Sequence, residues 1–197
     1  MSTLVSLALA ACGGGSASIG GNITNLGQGT TIVLQDNGAD NLSIVGTGAS
    51  SISFTFDNEI KANDKYNVTV YTQPLGQNCT VSGGVGTVSA SSTSSSSSSA
   101  STTTATDVTS VAVACTLTSS VVGTVTGVKT GGAVTLASNG AQLVLGNGTF
   151  AFSGVLVAGT AYNVTIVTQP TGQTCTLANA SGTVLSNAPS SVTVSCT

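Results

Sequence analysis

The sequence predicts an all-β protein built as two tandem seven-stranded antiparallel β-sandwiches. Residues 66–79 read YNVTVYTQPLGQNC and return at 162–175 as YNVTIVTQPTGQTC, identical at ten of fourteen positions. Apolar residues alternate with polar ones in short runs, and no helical period follows the first dozen residues. Gly, Asn or Asp separates most runs, as turns between strands require. A repeat this close in 197 residues makes the chain two copies of one module. Residues kept in both copies serve the fold before they serve any site.

In chain order, residues 1–12 form a leader, 13–18 a flexible tether, 19–115 the first module and 121–197 the second. Strands are expected at 19–26, 31–35, 41–45, 51–56, 65–73, 79–89 and 108–115. The second set is 121–128, 133–137, 142–146, 149–153, 161–169, 175–185 and 190–196. Parity assigns the faces: Tyr66, Val68 and Val70 point inward and Asn67, Thr69 and Tyr71 outward. Tyr162, Val164 and Ile166 repeat the inward set. Phe54 and Phe56 match Phe150 and Phe152, and Val111 and Val113 match Val192 and Val194. Pro74 and Pro170 end the fifth strands, because proline cannot donate to a ladder. If successive strands alternate direction, the loops after strands two, four and six share the pole where the chain enters. The cysteine pairs and the chain exit then share the other. Residues 116–120 are too few to separate the modules, so a short rod is expected rather than two independent beads. The first module alone carries a Ser/Thr-rich insertion at about 89–107. It is too polar to bury a core and is expected to be a mobile loop within the domain.

Five cysteines divide cleanly over this plan. Cys79 and Cys115 fall in the first module, Cys175 and Cys196 at equivalent places in the second, and Cys12 stands apart. In an exported chain that reads as one disulfide per module. Metal binding is the alternative, with neither His nor a CxxC spacing to favour it. The apolar run at 4–11 is far shorter than a bilayer span. It ends in Leu9-Ala10-Ala11-Cys12, which resembles a bacterial lipobox, where the leader is cut before a cysteine that is then acylated. The alternative is a plain secretory leader with an incidental cysteine. Gly13 after the cysteine, rather than Asp, implies by the same resemblance the outer membrane.

Composition narrows the chemistry. Charged residues are 5% of the chain and aromatics 4%, with no His or Trp. Three basic residues against six acids leave a phosphate backbone little to bind, which excludes nucleic acid as a partner. Without His or a spare thiol, acid–base and nucleophilic catalysis have no candidates, so no enzyme is expected. Asp57 and Glu59 are the carboxylates available for glycoside cleavage, but a sugar cleft lined with aromatics is missing. Asp36, Asp40, Asp57, Glu59 and Asp64 gather in two loops of one pole, a weak Ca²⁺ candidate set beside Lys61 and Lys65. A solvated loop end is the plainer reading, and no cofactor is expected. Tyr71 is the one aromatic facing outward by parity, a possible contact point for sugar or protein.

The motif series GNITNLG, DNG, SISFTF, YNVTVYTQP and GQNC, then GTVTGV, SNG, NGTFAF, YNVTIVTQP and GQTC, resembles repeat modules of proteobacterial outer-membrane lipoproteins. It is similar, more loosely, to Ig-like and transthyretin-like stalk domains such as the B-type repeats of collagen adhesins. That resemblance implies a stalk, adhesin or assembly module on the cell surface and supplies no catalytic residue. The leading expectation is a non-enzymatic surface lipoprotein, held to the membrane by its lipid anchor and meeting other surface proteins or glycans. The alternatives are a subunit of an extracellular homopolymeric filament assembled by strand complementation, and a carbohydrate-binding module.

Overall fold

A computed structural model describes residues 15–94 and 101–197. The leader, Cys12 and the middle of the Ser/Thr tract lie outside the described residues. The first module contains β1 (Ser16–Ala17), β2 (Ile19–Thr24), β3 (Thr31–Asp36), β4 (Asp40–Val45), β5 (Ser51–Thr55) and β6 (Ile60–Lys61). It continues with β7 (Lys65–Thr72), β8 (Gln77–Ser82), β9 (Val85–Thr87), β10 (Ala90–Ser94), β11 (Ser101–Ala105) and β12 (Val108–Leu117). The second contains β13 (Val121–Thr126), β14 (Val134–Ser138), β15 (Ala141–Leu145) and β16 (Gly148–Ala151). It ends with β17 (Ala161–Thr168), β18 (Cys175–Ala178), β19 (Ser181–Thr183) and β20 (Ser190–Cys196).

Two four-stranded sheets make each sandwich. In the first module they run β5-β2-β12-β8 and β4-β3-β7-β9; in the second, β16-β13-β20-β18 and β15-β14-β17-β19. The sheets are not wholly antiparallel. First and last strands of each module run the same way and pair in parallel, β2 with β12 and β13 with β20. Seven alternating passes, with the broken run β8–β9 counting as one, force that direction on them. Turn chemistry sets the hairpins: Asn37-Gly38 and Asn139-Gly140 both take positive φ at the two central positions, as a type I′ turn demands.

Inward parity produces the cores. Tyr66 and Val68 on β7 are buried while Asn67, Thr69 and Tyr71 are exposed, and β17 repeats the pattern. Ile19, Ile23, Ile32, Leu34, Val111 and Val113 fill the first core; Val134, Leu136, Val164, Val192 and Val194 fill the second. Each such side chain contributes about 1.5–3 kcal/mol on burial. Phe54 meets Phe56, and Phe150 meets Phe152, edge to face at 5.9 and 5.8 Å between ring centres.

Four expectations are corrected. The predicted sixth strand, 79–89, is two strands in different sheets, so each sandwich has eight rather than seven. β8 pairs with β12, and the chain then crosses to lay β9 against β7. Gly83 and its counterpart Asn179 turn the corner with positive φ, and their carbonyls accept from the Tyr66 and Tyr162 hydroxyls. Residues 15–18 of the expected tether belong to the module. β1 pairs with β6, and Ala17 is buried in the core. The Ser/Thr insertion is no structureless loop at its flanks. β10 and β11 form an antiparallel ladder from Ala90↔Ala105 to Ser94↔Ser101, and Gly15 N–H donates to Thr103 O. Ser and Thr make up most of both strands of this pleated ribbon, which needs no core of its own once the module's first residues lie against it. Lastly, β12 runs on to Leu117, which shortens the connection between modules to three residues.

Candidate interaction surfaces

The cysteines lie directly opposite one another on neighbouring antiparallel strands. Cys79 pairs with Cys115 and Cys175 with Cys196 in the ladder register, and each pair is disulfide-bonded with Cα atoms 4.0 and 3.9 Å apart. The bridge therefore staples the strand at a sheet edge, β8 or β18, to the last strand of its module. Gln73 brackets the loop that leads there: its side-chain carbonyl accepts from Cys79 N–H at 2.7 Å, and its amide donates to Cys79 O. Gln169 does the same for Cys175.

Between these two landmarks, Pro-x-Gly-Gln forms a type II turn, with Gly76 and Gly172 at positive φ. The turn aims the following glutamine into the pole. Gln77 is buried and makes four hydrogen bonds. Its Oε1 accepts from Gly27 N–H at 2.8 Å and Thr30 Oγ1 at 3.1 Å; its Nε2 donates to Asn25 O at 2.8 Å. The fourth bond leaves the module: Nε2 donates to Asn187 O of the second module at 3.2 Å. Around it the contact is close. A Cβ on Gly76 would fall 2.7 Å from Val122 Cγ1, and one on Gly27 would fall 3.1 Å from Ala188 Cα and Pro189 Cδ. Thr118 and Ser119 N–H groups both donate to Gly76 O, and the buried Ser119 hydroxyl donates to Phe152 O at 2.6 Å. A cleft of about 280 Å³ runs beside this junction, between Gln28 and Ala49 on one side and Leu185 and Asn187 on the other.

The opposite pole of the first module holds the acidic residues. The structure does not gather them around a common point. Among the described residues no three His, Cys, Asp or Glu side chains are placed to hold a metal ion. Instead several of them accept from local donors. Asp40 Oδ2 takes Asn58 N–H at 3.1 Å, Asp107 Oδ1 takes Ser18 N–H at 2.8 Å, and Glu59 takes the Ser16 hydroxyl. Asp36 is the buried one, with its Oδ1 accepting from Asn67 N–H at 2.8 Å. Burial raises its pKa above the ordinary aspartate value; the bonds from Asn67 and Asn37 oppose the rise, and nearby Asp40 adds to it. A carboxyl whose folded pKa is raised favours folding most when protonated. Its contribution is therefore full below 3.8 and is lost as pH climbs through the raised value. Replacing Asp36 with Asn keeps an acceptor for Asn67. The wild-type melting temperature should thus rise relative to Asp36→Asn as pH falls from neutral towards 4. A constant difference between the two would contradict this assignment.

In the second module Ser138 stands where Asp36 stands in the first, Ser138 paired with Val164 and Asp36 with Val68 on the neighbouring strand. Its buried hydroxyl has no partner. It borders a cavity of about 110 Å³ with Phe152 and Leu156. Ser138→Ala should leave stability unchanged or raise it by up to about 1 kcal/mol, since an unpaired buried hydroxyl is a cost. Chemical denaturation checks this; a loss above about 1 kcal/mol would mean that the hydroxyl is satisfied.

Tyr71 is 63% exposed on the outer face of β7, and Val167 takes its place on β17 at 51%. The other six aromatics are all buried. Asp57 and Glu59 lie on the loop between β5 and β6, with Glu59 engaged by Ser16. No helix among the described residues is long and apolar enough to cross a membrane. Gln77 and its junction were not singled out from sequence, although one signal was present: a glutamine before the cysteine in both copies of a chain poor in large polar residues.

Neither the family models nor the curated proteins include a match to this chain. Among solved structures, the chain is similar to the major pilin protein T-13 of Streptococcus pyogenes, at 11% identity over 93% of this chain and 97% of that one, with a TM-score of 0.27. It is also similar to the two B repeat units of the collagen binding protein of Staphylococcus aureus. There identity is 12% over 92% of this chain and 74% of that one, with a TM-score of 0.26.

Proposed function

We propose that this chain is an exported, non-enzymatic lipoprotein of the bacterial outer surface, anchored through Cys12, whose two modules act together as a rigid spacer or adhesive unit. The observation that carries the reading is the pair of stapled sandwiches joined by a packed, hydrogen-bonded junction. Two disulfides favour an oxidising compartment. A three-residue connection whose serines are buried favours a spacer over a pair of loosely strung beads. Intact-mass spectrometry of the protein extracted from membranes tests it. The expected spectrum shows cleavage before Cys12, added acyl mass and the loss of four hydrogens. A mass without acyl chains would remove the anchor.

A second reading, the filament subunit, is supported by exposed apolar side chains on a weakly charged surface. Val144 on the edge strand β15 is 73% exposed and Val157 is 79% exposed. Negative-stain microscopy of cell-surface material separates the two readings: ordered fibres containing this chain favour the filament, and isolated molecules favour the tether.

A further inference from the structure

The far pole of the second module repeats the socket that receives the second module on the first. Gln173 Oε1 accepts from Lys129 N–H at 2.9 Å, and its Nε2 donates to Gly127 O at 2.9 Å. These are the counterparts of the bonds from Gln77 to Gly27 and Asn25. What differs is the covering. Gly27, Gly76 and Gln77 are buried under the loop of residues 186–189, whereas Lys129 and Gly172 are exposed and no atom lies within 4 Å of where a Gly172 Cβ would sit.

Charge identifies what would cover it. All six acids and two lysines belong to the first module, and the second carries Lys129 alone. Lys129 occupies the place of Gly27, the residue facing Ala188 and Pro189 at the junction. The ladder registers Val108↔Ile19 and Val121↔Ser190 make Thr106 and Asp107 the first module's counterparts of Ala188 and Pro189. Asp107 is exposed there. We infer that a second copy of this chain docks its acidic pole on the far pole of the second module, reproducing the internal junction between molecules, with Lys129 of one copy against Asp107 of the next. Opposite charges at this one contact set the register of docking and disfavour pairing of like poles. The inference rests on the filament reading, because an acyl anchor at Cys12 would hold the acidic pole against a membrane.

Zero-length carbodiimide coupling of the full chain, as an equal mixture of ¹⁵N-labelled and unlabelled copies, tests it by mass spectrometry. Within one molecule Lys129 and Asp107 are separated along β12 and β13 by roughly 50 Å of strand, beyond such a bond. The expected result is an isotopically mixed Lys129–Asp107 linked peptide, abolished when Asp107→Lys is introduced alone and restored when Lys129→Asp accompanies it. In that double variant the link joins the same two positions with their charges exchanged. Both sites are exposed, and circular dichroism confirms that the variants stay folded. Absence of any mixed Lys129 link up to the highest concentration at which the chain stays soluble overturns the proposal. So does a Lys129 link spread evenly over the six acids. Linked dimers without fibres would support the docking and count against the filament, whereas fibres without the link would do the reverse.

Discussion

Replacing Cys79 and Cys115 together with alanine is expected to destabilise the first module by roughly 3 to 4 kcal/mol, the chain-entropy value for a loop of its size. The separation is 36 residues, and 21 for the second bridge, so Cys175 and Cys196 should matter slightly less. Both sulfurs of the first pair are buried and the Cα atoms are direct ladder partners, so the native strands need little adjustment when the bond is lost. The effect then falls on the unfolded chain. For modules of under about 100 residues this is a large share of the total stability. Denaturant titration of the variant beside the parent measures it. A loss below about 1 kcal/mol would show that the sandwich stands without its staple.

The next largest effect is expected at Gln77. Truncation to alanine leaves Gly27 N–H and Asn25 O buried without partners and removes the bond to Asn187 O. Each orphaned group costs about 1–3 kcal/mol, giving a loss near 3 kcal/mol in all. Gln173→Ala is the internal control. It breaks the same two bonds to the backbone, but at a half-exposed site where water can replace them, so about 1 kcal/mol is expected. Calorimetry of both variants should also show the modules melting separately after Gln77→Ala and together after Gln173→Ala. Equal losses would mean that the junction adds nothing to the bond pattern each module already has.

Much of the fold was legible because a period of two and a duplicated segment are strong signals. The inward sets on β7 and β17 and the two Phe pairs followed from alternation alone. The cysteine pairs followed from the repeat. What escaped was local geometry that overrides a run of β-formers. The 79–89 run alternates well enough to read as one strand, yet positive φ at Gly83 sends its second half to the other sheet. The Ser/Thr tract looked unstructured because its composition cannot bury a core. Ribbon pairing between Ala90 and Ala105 needs only backbone bonds and a neighbour. The first module's early start was hidden because Ser16 and Ala17 are small and have no pattern of their own. Gln77 was invisible for a different reason: a buried glutamine is recognised by the backbone groups it satisfies, which come from residues about fifty positions away.

The hydrogen-bonded junction makes one body of two modules. ¹⁵N relaxation of the full chain tests this most directly, because rotational tumbling reports the size of whatever moves together. Amides of β2 to β12 and of β13 to β20 should share one correlation time, that of the entire elongated molecule. Two shorter times, each suited to a module on its own, would contradict the welded pair on which both the spacer and the docking of further copies rely.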